Sequence, residues 1–300
     1  MKRKVVKLGP ATLVVSLPTK WTKKFDIKAG DDVELEEQDK DIIVRTKRSF
    51  KSEKEILDFT NIDKMIKRIL VSRYFKGLDE IEVKVNSLDK ARIVQKRVEE
   101  MIGMEIIEQT KDRFLVKDLQ GDMTDNFDTV IRRVFYLLNS LSDESLKAIQ
   151  NKETDLEYLN DIEKNINRFT DYCFRILIKK GYSDYRKTSI YYCMIYLLED
   201  LGDEYKLLVN YIHENKIKLD KNLIDIYSKI NIYQKNLQKL FFKFDMQSAI
   251  ALTEERDLIV NEIQNLLKDS RSVKDVIILK NFEKITNIIV DIMGQLLNIN

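Results

Sequence analysis

The chain has 300 residues, 44% of them apolar and 34% charged, and a formal net charge of +2 at pH 7. This composition indicates a globular chain with a buried core and excludes an intrinsically disordered one, and the length favours two or three domains. The uninterrupted apolar runs are far shorter than the roughly 20 residues of a transmembrane helix, so we expect no membrane insertion. The two cysteines, Cys173 and Cys193, are too few for a disulfide framework. We therefore expect a cytoplasmic protein.

The first 28 residues are strongly basic. They contain eight lysine and arginine residues against the single acidic residue Asp26, whereas residues 31–41 contain seven acidic residues. A concentrated positive patch is typical of proteins that bind phosphate backbones. Because lysines also protect exposed strand edges, a solvated sheet edge is the alternative interpretation. The concentration of charge near one end, with Thr12 and Ser16 as short hydrogen-bonding side chains, favours DNA binding.

Residues 1–50 predict a small β domain. β-branched residues predict four strands, at 5–6, 12–17, 33–36 and 42–44. Gly9 and Gly30 mark turns, and a short helix between them places Trp21 and Phe25 on one face. About fifty residues with so few core side chains are marginally stable alone. We therefore expect this domain to form a homodimer.

Residues 51–118 predict a small α/β linker module. The hydrophobic pattern predicts, in order, a helix, a strand, a helix and two strands, at 62–75, 80–85, 88–101, 104–109 and 113–117. Gly77 and Gly103 stand alone, so the module has neither a phosphate-binding loop nor a nucleophile elbow. We interpret it as a connector.

Residues 119–300 predict an all-helical domain. Apolar residues recur there at spacings of three and four, and the region contains no proline. The pattern predicts six helices, at 122–149, 153–180, 184–215, 218–242, 245–269 and 272–298. A weak internal repeat favours two three-helix bundles, because Asp155 and Asp257 lie in similar short motifs, each followed one helix later by an acidic pair. The fold class is therefore multidomain and mainly α.

Acidic residues one helical turn apart mark a candidate metal site in each bundle. Glu199 and Asp203 project from one helix face in the first bundle, and Glu283, Asn287 and Asp291 repeat this spacing in the second. Like charges on one face repel each other unless a cation lies between them, and oxygen ligands suit a divalent or ferric ion. A solvated charged face is the alternative interpretation, and the amide of Asn287 makes the second cluster the poorer one.

Enzyme chemistry has little support in the sequence. The single histidine, His213, excludes zinc and di-iron sites that need several imidazoles. Cys173 and Cys193 lie in apolar helical segments, where thiols are usually inert, and the serines lack the nucleophile-elbow motif. We therefore expect the protein not to be an enzyme.

The segments VVKLGPATLVVSLPTKW at 5–21 and DIKAGDDVELEEQ at 26–38 resemble the AbrB/MazE/SpoVT swapped-hairpin DNA-binding domain. The resemblance implies a β-barrel formed by two copies, in which Gly9 and Pro10 turn the first strand and Pro18 starts the short helix. The basic face of that dimer would contact DNA. By this resemblance, the DNA contacts are Lys2, Arg3, Lys4, Lys7 and Thr12, with Lys20, Lys23 and Lys24 as flanking contacts.

The helical region resembles PhoU, the phosphate-uptake regulator built of two three-helix bundles. The resemblance is carried by LLEDLGDEY at 197–205 and NFEKITNIIVDI at 281–292. It implies that metal ligands are Glu199, Asp203 and Asp155 in the first bundle and Glu283, Asp291 and Asp257 in the second. Asn287 replaces a family aspartate, so the second site has one carboxylate fewer than the family pattern.

The order of an AbrB-like domain, an α/β linker and a PhoU-like domain resembles the archaeal AbrB-PhoU fusion proteins. The likeness implies a DNA-binding regulator of phosphate uptake whose helical domain senses a signal or binds partners. The alternative is a signalling adaptor that docks on a phosphate transporter or its regulatory partner, with the first domain only dimerising. A metal-dependent enzyme is a third reading. Cations on the DNA-facing side discriminate between the first two, since an adaptor does not need them.

Overall fold

The computed structural model describes residues 1–38, 40–46, 54–120, 127–153, 155–269 and 272–300. The chain divides into two compact units, Met1–Lys54 and Glu55–Asn300. In the described parts of both units, every helix is too short or too polar to cross a membrane.

The first unit consists of two β-hairpins and one short helix. Strand β1 (Val5–Leu8) pairs with β2 (Thr12–Val15), helix α1 spans Thr19–Lys24, and β3 (Val33–Gln38) pairs with β4 (Asp41–Thr46). All four predicted strands are therefore confirmed. Gly9 and Gly30 have φ values of 76° and 93°, a left-handed conformation that other residues rarely adopt, which explains why glycine occupies these two turns.

The described part of the first unit has no buried core in a single chain. Every described side chain between residues 1 and 46 is exposed or half-buried, and Leu13 is 69% exposed. Exposed apolar side chains lie on both faces of the β1–β2 hairpin: Val5, Leu13 and Val15 on one face, and Val6, Leu8 and Val14 on the other. Because an isolated two-stranded hairpin is marginally stable in water, this unit needs a further layer to cover its apolar surface.

The second unit begins with a four-stranded sheet and two helices. In chain order these elements are β5 (Lys54–Asp58), α2 (Ile66–Phe75), β6 (Glu80–Lys84), α3 (Leu88–Glu99), β7 (Met104–Gln109) and β8 (Arg113–Asp118). The strand order across the sheet is β5-β6-β8-β7, and β8 is antiparallel to both of its neighbours. The predicted order of a helix, a strand, a helix and two strands is confirmed, but β5 was not predicted. Helix α2 starts four residues later than predicted, because Met65 before it is left-handed with φ 69°.

Six long helices complete the second unit. They are α4 (Phe127–Asn151), α5 (Glu157–Lys179), α6 (Thr188–Glu214), α7 (Lys221–Phe242), α8 (Met246–Asp269) and α9 (Val273–Ile299). Each matches one predicted helix, although the predicted start at 122 lies outside the described residues. Helices α4, α5 and α6 pack against one another, as do α7, α8 and α9, and the two trios meet through α6 with α9 and α4 with α7.

A buried arginine fixes helix α5 to the sheet. The guanidinium of Arg175 is fully buried and donates to the carbonyl oxygens of Tyr74 (2.7 Å) and Leu78 (3.0 Å) and to a carboxylate oxygen of Asp118 (2.7 Å). Lys179 reaches the same Asp118 oxygen at 3.2 Å. Burial acts to raise the pKa of Asp118, but the two cations outweigh it and lower that pKa. The α/β part and the first helical trio are therefore joined by a buried ion network.

We expect Arg175→Met to lower the free energy of unfolding by about 3–5 kcal/mol, because it leaves the buried carboxylate of Asp118 without its main partner. Urea denaturation of the full chain, followed by circular dichroism, measures this change. The control is Arg186→Met, which removes an exposed arginine 3.1 Å from Asp184 and should cost less than about 1 kcal/mol. Equal losses in the two variants would contradict the role assigned to Arg175.

Candidate nucleic-acid interface and acidic clusters

The predicted DNA contacts lie on the surface of the first unit. All eight side chains are exposed in the single chain: Lys2, Arg3, Lys4, Lys7, Thr12, Lys20, Lys23 and Lys24. Lys20, Lys23 and Lys24 follow the i, i+3, i+4 spacing of one face of α1. The rings of Trp21 and Phe25, 5.6 Å apart, confirm the predicted aromatic pair beside that face. The cations are thus presented to solvent by the residues before β1, by β1 itself and by the short helix α1.

The hairpin register separates two of these predicted contacts. Lys7 is directly opposite Leu13, whereas Thr12 is directly opposite Leu8. Directly opposed residues share a face and successive residues alternate, so Lys7 and Thr12 point to opposite faces of the hairpin. Both residues lie close to the turn at Gly9. Lys7 and Thr12 can therefore contact the same ligand only if that ligand binds at the tip of the hairpin.

The turn before β3 is held by local acidic groups. The backbone N–H of Lys28 donates to the carboxylate of Asp31 at 2.7 Å, and the ammonium group of Lys28 lies 3.6 Å from Asp26. These contacts order the loop that carries Gly30. The side chain of Lys28 therefore takes part in a local ion pair. The predicted DNA contacts lie elsewhere, on the residues before β1, on the β1–β2 hairpin and on α1.

The first helical trio contains the predicted pair Glu199 and Asp203. Glu199 is half-buried on α6, and burial followed by the charges of Asp171 and Asp203 raises its pKa to about 7. Burial, followed by a hydrogen bond with Glu163, raises the pKa of Asp203 as well. Four carboxylates from α5 and α6 therefore influence one another at this place: Glu163, Asp171, Glu199 and Asp203.

Two cations partly neutralise this cluster, which we call the α5–α6 acidic cluster. Lys206 donates to Glu163 at 2.8 Å, and Arg97 of helix α3 donates to Asp171 at 2.5 Å. Arg97 also donates to Glu100 at 2.7 Å. The cluster thus retains an excess of carboxylates over nearby cations.

Asp155 has a local role in the structure. Its exposed carboxylate accepts the backbone N–H of Glu157 at 3.0 Å, at the start of α5. The α5 carboxylate that contacts Asp203 is instead Glu163, which is only 2% exposed. The sequence signal for Glu163 was its position on the apolar stripe of α5, between the buried residues Leu159 and Ile166.

In the second trio, an arginine contacts one predicted ligand, Asp257, and the neighbouring amide of Asn287. Arg256 donates to Asp257 at 2.8 Å and to the amide oxygen of Asn287 at 3.0 Å. Glu283 accepts hydrogen bonds from Lys280 at 2.6 Å and from Gln264, while Asp291 is exposed. This trio supplies its own cation, so its donor set does not favour a metal ion.

The described residues contain no three histidine, cysteine, aspartate or glutamate side chains that converge closely enough to hold a metal ion. Glu199 and Asp203 therefore form an electrostatic cluster with Glu163 rather than a closed ligand cage. Metal binding by the predicted residues stays a prediction.

Comparison with protein families matches residues 6–52 to the MazE family, described as "Antidote-toxin recognition MazE, bacterial antitoxin". Comparison with curated proteins and with solved structures gives no match. The first unit therefore carries a MazE/AbrB-like domain, a type consistent with DNA-binding or antitoxin-type regulation. Because the match ends before the four-stranded sheet, the resemblance of the helices to PhoU stays a prediction.

We expect the stability of chelator-treated protein to fall as pH rises from about 4.5 to 7, the unfolded and folded pKa values of Glu199. The folded state binds more protons than the unfolded state in this range. The stability that protonation of Glu199 contributes is therefore complete below the range and lost above it. Glu199→Gln should flatten the slope and gain at least about 1 kcal/mol at pH 8. Thermal unfolding across pH measures this.

The control for that experiment is Glu254→Gln, which changes an exposed carboxylate on α8. It should leave the pH slope unchanged. A residual slope in Glu199→Gln is expected from Asp171 and Asp203, whose pKa values are also raised. An unchanged slope in Glu199→Gln would refute the assignment of this titration to Glu199.

Proposed function

We propose that the protein is a dimeric, DNA-binding regulator of transcription. The observation that carries this proposal is the MazE-type match of residues 6–52, in a unit whose predicted DNA contacts are all exposed. Lysine and arginine side chains bind phosphate oxygens without reading sequence, and short polar side chains such as Thr12 add hydrogen bonds. The first unit thus provides the DNA contact, and the second unit provides regulation.

Dimerisation follows from the uncovered apolar surface of the first unit. Val5, Leu8, Leu13, Leu35 and Ile42 are each more than half exposed in the single chain. A second copy of the same unit offers apolar side chains of the same kind, and pairing would bury both sets. A two-fold symmetric dimer binds a target with two similar half-sites, so the operator would be roughly palindromic.

Regulation of phosphate uptake is the role that we assign to the helical part. Its support is the resemblance of the LLEDLGDEY and NFEKITNIIVDI segments to PhoU, together with two packed trios of helices. A signalling adaptor that docks on a phosphate transporter or regulatory partner is the alternative, and the family description also makes a toxin-type partner a candidate. In both alternatives, sequence-specific DNA binding is not needed.

We expect the full chain to bind duplex DNA from promoters of phosphate-transport genes more tightly than scrambled duplex. Replacing Lys2, Arg3, Lys4 and Lys7 by glutamine should weaken binding at least about tenfold and reduce the salt dependence, because fewer counterions are released. Fluorescence anisotropy over a salt series measures both effects.

The matched control replaces four exposed or half-exposed lysines of the second unit by glutamine: Lys147, Lys164, Lys229 and Lys280. It changes the net charge equally and should leave the promoter preference in place. Equal loss in both variants would show that only net charge matters. Weak and equal binding of wild-type protein to both duplexes would favour the adaptor.

We also propose that the α5–α6 acidic cluster binds a divalent or ferric cation. The support is the donor chemistry of Glu199, Asp203 and Glu163, whose oxygens suit a hard cation and whose mutual repulsion such an ion would relieve. Because these side chains do not converge into a ligand group among the described residues, the bound ion would have to draw them together. This ligand set replaces Asp155 by Glu163. When bound, the ion would supply positive charge that joins α5 to α6.

We expect Mn²⁺ at about a hundred times its dissociation constant to stabilise the protein by about 2.7 kcal/mol. Asp203→Asn and Glu163→Gln should abolish this gain, whereas Asp155→Asn should keep it, because Asp155 caps α5. Thermal unfolding with and without Mn²⁺ measures the gain. If Asp155→Asn abolishes the gain and Glu163→Gln does not, the ligand set implied by the resemblance is the correct one.

A further inference from the structure

One surface patch where the start of α4 meets the end of α7 carries two aromatic rings and three cations; Tyr136 and the three cations are exposed, whereas the ring of Phe242 is half-buried. The patch consists of Arg132 and Tyr136 on α4 and Lys239, Phe242 and Lys243 on or next to α7; we call it the aromatic platform. The guanidinium carbon of Arg132 lies 4.6 Å from the centroid of the Phe242 ring. The ring of Tyr136 lies 5.7 Å from the same ring at an interplanar angle of 47°.

The platform is held in place by packing beneath it. Phe135, which is buried, stacks on Phe241 with centroids 4.5 Å apart and planes 30° apart. Arg132 and Tyr136 are one turn apart on α4, and Lys239 and Phe242 are one turn apart on α7, so each pair shares a helix face. The rings are therefore positioned by two packed helices, and Tyr136 keeps 60% of its surface exposed.

The cations of the platform differ from other lysines of α7 in that they have no carboxylate partner among the described residues. Lys229 and Lys235 of α7 form ion pairs with Glu262 (2.6 Å) and Asp143 (2.7 Å). Within the described ranges, Arg132, Lys239 and Lys243 form no ion pair with a carboxylate. Lys239 donates to the amide oxygen of Asn236 at 3.1 Å.

Two carboxylates of the described residues lie beside members of the platform: Asp128, one turn before Arg132 on α4, accepts a hydrogen bond from Tyr182 at 3.2 Å, and Asp245 follows Lys243. Asp245 accepts the backbone N–H of Ser248 at 2.8 Å, and hydrogen bonds with Ser248 are the main cause of its lowered pKa. The positive charge of Lys243 lowers that pKa further, as the smallest of the causes. Asp245 thus serves the start of α8, and the platform keeps a net positive charge.

A partner for this surface must offer both negative charge and flat faces. Single-stranded nucleic acid has both, because its phosphates pair with lysine and arginine while its bases stack on aromatic rings and on guanidinium planes. Duplex DNA hides its base faces inside the stack, and a purely acidic peptide would leave the rings unused. We propose that the aromatic platform binds single-stranded nucleic acid.

This contact lies in the second compact unit and is independent of the proposed duplex contact in the first. The two proposals therefore fail separately. The first unit loses duplex binding when Lys2, Arg3, Lys4 and Lys7 are replaced by glutamine. That variant should still bind a single strand, and it provides the background in which the platform is tested.

The experiment measures anisotropy of labelled oligo-dT and oligo-U of about 20 nucleotides with the full chain in that background. Tyr136→Leu removes a stacking ring and keeps apolar volume, and it should weaken binding about tenfold, within the range for one stacked base. Arg132→Gln should weaken binding and reduce the salt dependence. Comparing the two oligonucleotides shows whether DNA or RNA is preferred.

The matched control is Tyr196→Leu, which changes a tyrosine of equal exposure, 61%, on α6. It should leave binding unchanged. No binding of either oligonucleotide, or equal losses in Tyr136→Leu and Tyr196→Leu, would overturn the proposal. Binding to phosphatidylserine vesicles that is lost in Tyr136→Leu, without oligonucleotide binding, would overturn it in favour of an anionic lipid surface.

Discussion

The second unit depends on the burial of one guanidinium. Arg175 belongs to α5, yet its three acceptors belong to the α/β part: the carbonyl oxygen of Tyr74 in the last turn of α2, the carbonyl oxygen of Leu78 after that helix, and the carboxylate of Asp118 at the end of β8. Its desolvation is offset because each hydrogen bond is formed with a fixed acceptor. Phe75 and Phe174, with ring centroids 5.1 Å apart, add apolar contact beside it. The α/β part is therefore a packed layer on the helices, although the sequence pattern indicated only a connector.

The fold was predictable wherever local signals were strong. The six long helices follow from an uninterrupted apolar periodicity, and the first four strands follow from β-branched residues between glycine turns. Strand β5 has only five residues, KEILD, with charges at both ends, so its pattern did not predict a strand. The late start of α2 depends on a left-handed Met65, a conformation that tertiary contacts impose and that no propensity indicates.

The candidate sites were predictable where they depend on charge density or on spacing within one helix, and not where they depend on contacts between elements. Exposed lysines near one end of the chain are visible as charge density, and helix spacing places Glu199 and Asp203 on one face. The choice between Asp155 and Glu163 depends on where α5 begins, because the helix was predicted from residue 153 but starts at Glu157, which leaves Asp155 outside it and Glu163 within it. The opposite faces of Lys7 and Thr12 likewise depend on the register of the hairpin. Contacts between elements are what the sequence alone did not determine.

The guanidinium of Arg256 makes the two helical trios unequal. Between Asp257 and Asn287 it provides a covalently attached positive charge that is present in every solution. The α5–α6 acidic cluster has two such cations, Lys206 and Arg97, for its four carboxylates. The first trio therefore keeps more uncompensated negative charge than the contact between Asp257, Arg256 and Asn287 does in the second. A dissolved cation would accordingly stabilise the first trio more than the second, although the two have the same number of helices.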